Sequence, residues 1–324
     1  MARRFFNPYI RNTRRKSLHY LLWQLGYYED VFPQTIAPEG FEYPVIRDLT
    51  CSSQPKLTWI NHCTFLIEIS NLVLITDPVW ADRCSPIPGI GPKRQHPPAV
   101  ALESLKRVDF VLISHNHYDH LDAFTVKKLC KKFPNIIWIV PIGLKQWFTK
   151  RGVHHVKELN WWDEVEITLG PSSPKVRFTA VPAQHNSGRG IFDQDKTLWM
   201  GIIAKMTDPV LGVKTLYFVG DTAYNSYDFK KIGERFPSID LCLCPIGTYK
   251  PGRFMRTVHS SPEDAVNIHV DVSPKLSVGM HWKTFCLSSE GERQPPFDLY
   301  QELKRKQIDP AQFLAIEPGR VINW

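Results

Sequence analysis

An α/β fold of β-sheets sandwiched between helices is the architecture expected from three features. Short β-rich runs cluster early, at 57–60, 64–69 and 72–76, broken by Asn61 and Asn71. Beyond them, nearly continuous apolar runs of strand length alternate with helical patterns, as in strands covered on both faces. No internal repeat and no linker-like stretch divides the 324 residues.

The run at 108–114 reads as a buried strand. A helix should follow it, with Phe124, Leu129 and Phe133 facing inward and Lys127, Lys128, Lys131 and Lys132 outward. Further strands are expected at 136–140, 176–181, 198–206, 215–219, 239–244 and 275–280. Ser261 as cap, Pro262 in the first turn and Glu263 and Asp264 next to it mark a helix start.

Composition bounds the function. At 43% hydrophobic and 22% charged residues, the chain is neither disordered, collagen-like nor a coiled coil. No apolar run approaches the ~20 residues of a membrane-crossing helix. Seven scattered cysteines (Cys51, Cys63, Cys84, Cys130, Cys242, Cys244, Cys286) form no disulfide framework and no paired zinc motif. They fit a reducing compartment. Residues 18–25 are broken by His19 and Gln24 with no small-residue cleavage site, so they read as mature, cytoplasmic protein. A formal net charge of +8 favours anionic partners.

Residues 1–56 stand apart. Arg3, Arg4, Arg11, Arg14, Arg15 and Lys16 interleave with Phe5, Phe6, Tyr9, Tyr20, Leu21, Leu22 and Trp23. Cations beside aromatics suit an anionic membrane surface; the alternative is an arm wrapped over its own domain. The catalytic domain is expected at 57–324.

One segment carries the chemistry. In Ser114-His115-Asn116-His117-Tyr118-Asp119-His120-Leu121-Asp122, three histidines and a carboxylate fall within six residues after a buried strand. Imidazole and carboxylate are zinc ligands, and closely spaced histidines would repel if protonated and each need a partner if buried. Alternating His115 and His117 can meet one ion, and Asp119 and His120 a second. Three more potential ligands each follow an apolar run: His185, Asp221 and His281. Ends of strands are where ligands converge.

The pattern His-x-His-x-Asp-His with later lone His, Asp and His resembles the metallo-β-lactamase superfamily of dinuclear hydrolases. Within it the chain is similar to the N-acylphosphatidylethanolamine-hydrolysing phospholipase D family. The stretches that carry this are Leu74-Ile75-Thr76-Asp77-Pro78, Gly91-Pro92-Lys93-Arg94, 112–122, Trp161-Trp162, Gly220-Asp221-Thr222, Pro245-Ile246-Gly247 and His281-Trp282. The resemblance implies an αββα sandwich and two Zn2+ ions, with other divalent metals possible. His115, His117 and His185 would hold one ion, Asp119, His120 and His281 the other, and Asp221 would bridge. Asp77 is expected to accept a hydrogen bond from a ligand imidazole, and His62 either does likewise or is a buried, satisfied histidine. His259 resembles a family histidine near the phosphate and is either the general acid or phosphate donor or a helix-flanking surface histidine. Tyr118 either donates to the same phosphate or packs. His154, His155 and His269 are expected at the surface. Around the mouth the chain departs from the family: Asn61 and Lys283 replace glycines, Asn186 an aromatic and Val258 a glutamine.

The implied reaction is phospholipase D-type hydrolysis of N-acylphosphatidylethanolamine to an N-acylethanolamine and phosphatidic acid. Two divalent ions, two aspartates and a shared hydroxide leave one positive charge, suited to a phosphodiester attacked at phosphorus by that hydroxide. Asp119, His259 and Tyr118 are the candidate catalytic side chains. The implied partner is a phospholipid at an anionic membrane surface, with the enzyme peripherally attached, a homodimer possible and no specific nucleic acid. The alternatives are a soluble hydrolase of the same fold, such as a sugar-phosphate lactonase, a nuclease, and a binding protein with a structural metal.

Overall fold

The computed structural model describes residues 4–10, 36–44, 55–87, 89–170, 173–190, 192–208 and 211–324. Antiparallel pairing of β1 (Lys56–Asn61), β2 (Thr64–Ile69) and β3 (Leu72–Thr76) begins the first sheet. In β2 Phe65, Ile67 and Ile69 are buried while Glu68 is exposed, the period of a strand with one wet face. β4 (Phe110–Leu112), β5 (Ile137–Pro141) and β6 (Val156–Leu159) extend it in parallel, and β14 (Val321–Asn323) closes on the far side of β1.

A second sheet repeats this plan. β7 (Glu164–Ile167), β8 (Lys175–Val181), β9 (Gly201–Asp208) and β10 (Gly212–Phe218) pair antiparallel, then β11 (Leu241–Pro245), β12 (Leu276–Met280) and β13 (Phe313–Leu314) run parallel. The parallel strands β4, β11 and β12 are wholly buried, because both of their faces are covered.

Helices supply the outer cover. α1 (Ala123–Lys132) and α2 (Lys145–Thr149) bury Val126, Leu129 and Phe148 against Ile75, Val111, Trp138 and Val140 of the first sheet. On the second sheet, α3 (Ser226–Arg235), α5 (Pro262–Val272) and α6 (Gln294–Arg305) contribute Phe229, Ile232, Ala265, Ile268, Leu299 and Leu303. A single turn, α4 (Gly252–Met255), precedes α5. Between the sheets Phe110 of β4 meets Phe178 of β8, their ring centroids 5.0 Å apart. The layers are helix, sheet, sheet, helix, as expected.

The start signal at Ser261 is a reciprocal capping box: the Asp264 N–H donates to Ser261 Oγ, and the Ser261 N–H to Asp264 Oδ2. Two side-chain expectations are corrected. Phe124 is 51% exposed and lies beside Lys128, because the inward stripe of α1 is Thr125, Val126 and Leu129. His269 is buried, not at the surface; its Nδ1 lies 2.8 Å from Ser277 Oγ, and burial lowers its pKa to about 4. His154 and His155 are exposed. The expected strand at 198–206 begins only at Gly201. Before it, Leu198 and Met200 donate their N–H groups to Ile142 and Ser114 in loops of the first sheet.

Of residues 1–56, the described pieces pack on the domain. Tyr43 donates its hydroxyl to Phe313 O (2.5 Å), and Phe41 meets Phe297 edge-on. Asn7 is buried. Arg11, Arg14, Arg15, Lys16 and the aromatics Tyr20 and Trp23 lie outside the described residues, as does Cys51. No helix among the described residues is long and apolar enough to cross a membrane.

Candidate metal centre

All the candidate ligands are delivered by loops at strand ends. The 114–122 loop leaves β4 and is fixed by Asp77, which ends β3. Asp77 Oδ1 accepts the Ser114 N–H (2.8 Å), and Oδ2 accepts the Ser114 hydroxyl (2.5 Å) and the His120 Nδ1–H (2.6 Å). Arg189 clamps the same loop from outside, donating to the carbonyls of Asn116 (2.9 Å) and Leu121 (2.7 Å). His185 follows β8, Asp221 follows β10 and His281 follows β12. The His281 N–H donates to His62 O, tying the end of β12 to the β1–β2 turn.

These bonds set the imidazole tautomers. The Nδ1–H groups of His115, His120 and His185 donate to Ser114 Oγ (2.8 Å), Asp77 Oδ2 (2.6 Å) and Val258 O (2.7 Å). Each Nε2 therefore turns a lone pair inward. His115 Nε2 and His185 Nε2 lie 2.9 and 3.2 Å from His117 Nδ1, so three ring nitrogens face one point. A second set, Asp119, His120, Asp221 and His281, gathers next to it. Asp221 Oδ2 lies between the two sets: 3.2 Å from His120 Nε2, 3.0 Å from His281 Nε2, 3.6 Å from His185 Nε2 and 3.9 Å from His115 Nε2. The side chains expected from sequence thus share one pocket.

The donor set fits cations. His120 Nε2, His281 Nε2 and Asp221 Oδ1 are buried without a hydrogen-bond partner among the described residues, a costly state that a coordinated ion relieves. Electrostatics point the same way. Burial alone would raise Asp119 and Asp221, yet the adjacent His120 and the surrounding imidazoles hold both carboxyls well below the usual range. Burial would lower His281, yet the carboxylate of Asp221 beside it raises it to about 9. His185 falls to about 3, chiefly by burial. The two carboxylates thus demand positive charge, while His115 and His185 resist protonation. Such residues hold divalent metal.

His62 belongs here as well. Its Nε2 lies 3.1 Å from Asp119 Oδ2 and its ring centroid 4.1 Å from that of His281, and burial with the His281 charge lowers its pKa to about 3. Positive φ at His62, Asp77, Thr248, His281 and Lys283 concentrates backbone strain around the site. Lys283, at φ 64, occupies a conformation that glycine adopts freely.

Over the ligands lies a cavity of about 300 Å3 lined by His117, Tyr118, Asp119, His185, Asp221 and His259 among others. His259 Nδ1 is 3.7 Å from Asp221 Oδ2. Tyr118 donates its hydroxyl to Arg189 O (2.8 Å), and the Arg189 guanidinium stacks on its ring at 3.9 Å. Tyr118 also forms the wall of a neighbouring hollow of about 650 Å3 containing Arg83, Arg151, Ile87 and Phe124.

Four layers of this order, with a histidine–aspartate cluster at the strand ends, define a metal-dependent hydrolase. Residues 73–282 match the family described as "Beta-lactamase superfamily domain", and the chain belongs to that superfamily. It is 38% identical over 272 residues to "N-acyl-phosphatidylethanolamine-hydrolyzing phospholipase D 1" of Caenorhabditis elegans, covering 82% of this chain and 74% of that one. A mitochondrial protein of the same description from Saccharomyces cerevisiae is 32% identical, over 74% of this chain and 49% of its own length. Among solved structures, a metallo hydrolase from Ignicoccus hospitalis matches with TM-score 0.59 at 22% identity, covering 84% of this chain and 98% of the other. A possible metal-dependent hydrolase from Veillonella parvula matches with TM-score 0.64 at 19% identity, over 84% and 100%. These two bear on the fold alone.

Proposed function

We propose that this chain is a phospholipase D-type phosphodiesterase that hydrolyses N-acylphosphatidylethanolamine to an N-acylethanolamine and phosphatidic acid. The observation that carries the reading is Asp221 Oδ2, placed between a three-nitrogen set and a mixed nitrogen–carboxylate set. The 38% identity to the nematode protein supports the lipid class.

In this reading His115, His117 and His185 would hold one zinc ion, Asp119, His120 and His281 the other, and Asp221 would serve both. When bound, a pair of divalent ions makes a shared water acidic and draws the phosphate oxygens toward it. The protein's own part is to bind, orient and exchange protons. Asp77 and Ser114 fix the His120 and His115 rings, so the donors need little reorganisation. His259 sits at the cavity wall, where its ring can donate to a phosphate oxygen or protonate the departing ethanolamide oxygen. Tyr118 can serve the phosphate only by turning its hydroxyl away from Arg189 O. Hydrolysis would add water to phosphorus as the phosphorus–oxygen bond to the ethanolamide breaks, one water proton ending on that oxygen and the other staying with the phosphatidic acid. The substrate comes from a membrane surface.

Zinc-loaded protein assayed on N-acylphosphatidylethanolamine, unacylated phosphatidylethanolamine, a soluble aryl phosphodiester and a sugar-phosphate lactone tests this. Turnover of the N-acylated lipid well above the others is expected, with loss in Asp221→Asn at unchanged folding. Preference for the lactone, or undiminished turnover by Asp221→Asn, overturns it.

A further inference from the structure

The loop that delivers His185 is held from outside the domain by residues 4–9. The Arg4 guanidinium donates to Gln194 O, the Phe5 N–H donates to Asp195 O (2.8 Å), and Tyr9 stacks on Tyr227 with ring centroids 4.9 Å apart. Between these anchors Asn7 is inserted, 4% exposed. Its Nδ2–H donates to His185 O (2.7 Å), and its Oδ1 accepts the His185 N–H (3.2 Å) and the Trp199 Nε1–H (3.2 Å). One side-chain amide thus pairs with both peptide groups of His185, as a neighbouring strand would. The ladder of β8 ends at Val181, so among the described residues no strand does this for His185.

We infer that Asn7 is a positioning residue of the metal centre: the N-terminal strap locks the backbone of His185, and Val258 O locks its ring, so that Nε2 meets the three-nitrogen set. The inference rests on the proposed reading of that set as a metal site. Physically, backbone freedom at His185 would spread Nε2 over many positions, and a ligand that must be ordered on binding lowers affinity.

The test compares Asn7→Ala and Asn7→Asp with Ile67→Val, a buried change in β2 of the first sheet, whereas His185 follows β8 of the second. Two quantities are read in full-length protein: amide hydrogen exchange of the peptide containing His185, and the affinity of each zinc equivalent by chelator competition. In Asn7→Ala, exchange at His185 should rise at least about tenfold, and one zinc equivalent should weaken about 10- to 100-fold while the other holds. Asn7→Asp keeps the acceptor and loses the donor, so partial rescue is expected. Ile67→Val should lower the melting temperature with neither signature. Wild-type protection of His185 in Asn7→Ala overturns the inference, as does equal weakening of both equivalents in Asn7→Ala and Ile67→Val. If wild-type protein takes up no zinc, the reading of the site fails, and the exchange comparison still decides the strap.

Discussion

Asp77 lies outside the proposed ligand set, yet its removal should disable one half of the centre. Its carboxylate is fully buried and accepts from three donors: the Ser114 N–H, the Ser114 hydroxyl and the His120 Nδ1–H. Truncation to alanine orphans all three. A buried donor without a partner costs about 1–3 kcal/mol. The Ser114 hydroxyl can rotate to another acceptor, and relief of a carboxyl whose pKa burial has raised offsets part of the loss. The net expectation is about 2–4 kcal/mol for Asp77→Ala. Asp77→Asn keeps one carbonyl oxygen for the Ser114 N–H and turns its amide N–H, a donor only, toward His120 Nδ1, so it should cost less in stability. For the site the two variants should agree, since His120 loses the bond that fixes its tautomer; outer partners of this kind are worth about 10- to 100-fold in metal affinity. Denaturant unfolding gives the first quantity, and chelator competition, equivalent by equivalent, the second. The decisive variant is Asp77→Asn. If it folds and retains both zinc equivalents at wild-type affinity, orientation by Asp77 is not what prepares His120.

Other consequences are smaller in scope. Gly247 faces the backbone at the end of β12, and a Cβ there would sit 2.2 Å from His281 O. Gly247→Ala should cost about 1–3 kcal/mol and weaken the His281 half of the centre, read by thermal unfolding and zinc titration; a neutral result would mean the strand end yields freely. His269 is neutral in the fold with a pKa of about 4, against about 6.5 when unfolded. The unfolded chain binds the extra proton, so the stability this group contributes is complete above pH 6.5 and is lost as pH falls toward 4, about 3 kcal/mol in all. His269→Gln should flatten that part of the stability–pH curve, measured by denaturant unfolding at several pH values. Tyr118→Phe removes the hydroxyl bound to Arg189 O. If the phosphate uses that hydroxyl, kcat should drop about tenfold or more; an unchanged kcat assigns Tyr118 to packing.

How far the site could be read from sequence follows from where its parts lie. His115, His117, Asp119 and His120 are neighbours in the chain, so their chemistry is concentrated enough to see. His185, Asp221 and His281 are each alone, and were legible because an apolar strand precedes each of them and strand ends converge. Asp77 was legible for the same reason. Asn7 was not: an asparagine beside a proline near a terminus carries no signal until the fold brings it against His185. His269 was misread although its signal existed. Ala265, Ile268, His269 and Val272 keep the helical spacing of a buried stripe, which outweighs the polarity of one ring that finds Ser277. Phe124 is the converse, an apolar residue off the stripe. The short strands β13 and β14, of two and three residues, have no period to detect.

The backbone around the centre explains why it tolerates residues that local rules disfavour. His62, Asp77 and His281 all take positive φ, a conformation that costs a non-glycine residue about 1–3 kcal/mol. Each is held there by bonds that cross between elements: His62 N–H to Thr284 Oγ1 (2.7 Å), Asp77 N–H to Leu112 O (2.9 Å) and His281 N–H to His62 O (3.2 Å). The last two join the end of β3 to β4 and the end of β12 in the second sheet to the β1–β2 turn in the first. Both sheets must therefore be in place before the ligand set exists. That separates stability from chemistry in a checkable way: Thr284→Val, which removes the hydroxyl that holds His62 and lies outside the ligand set, should lower zinc affinity in proportion to its loss of stability, whereas Asp221→Asn should change affinity with little change in unfolding midpoint. The same proportionality in both variants would show that the centre is a by-product of packing rather than a preformed donor set.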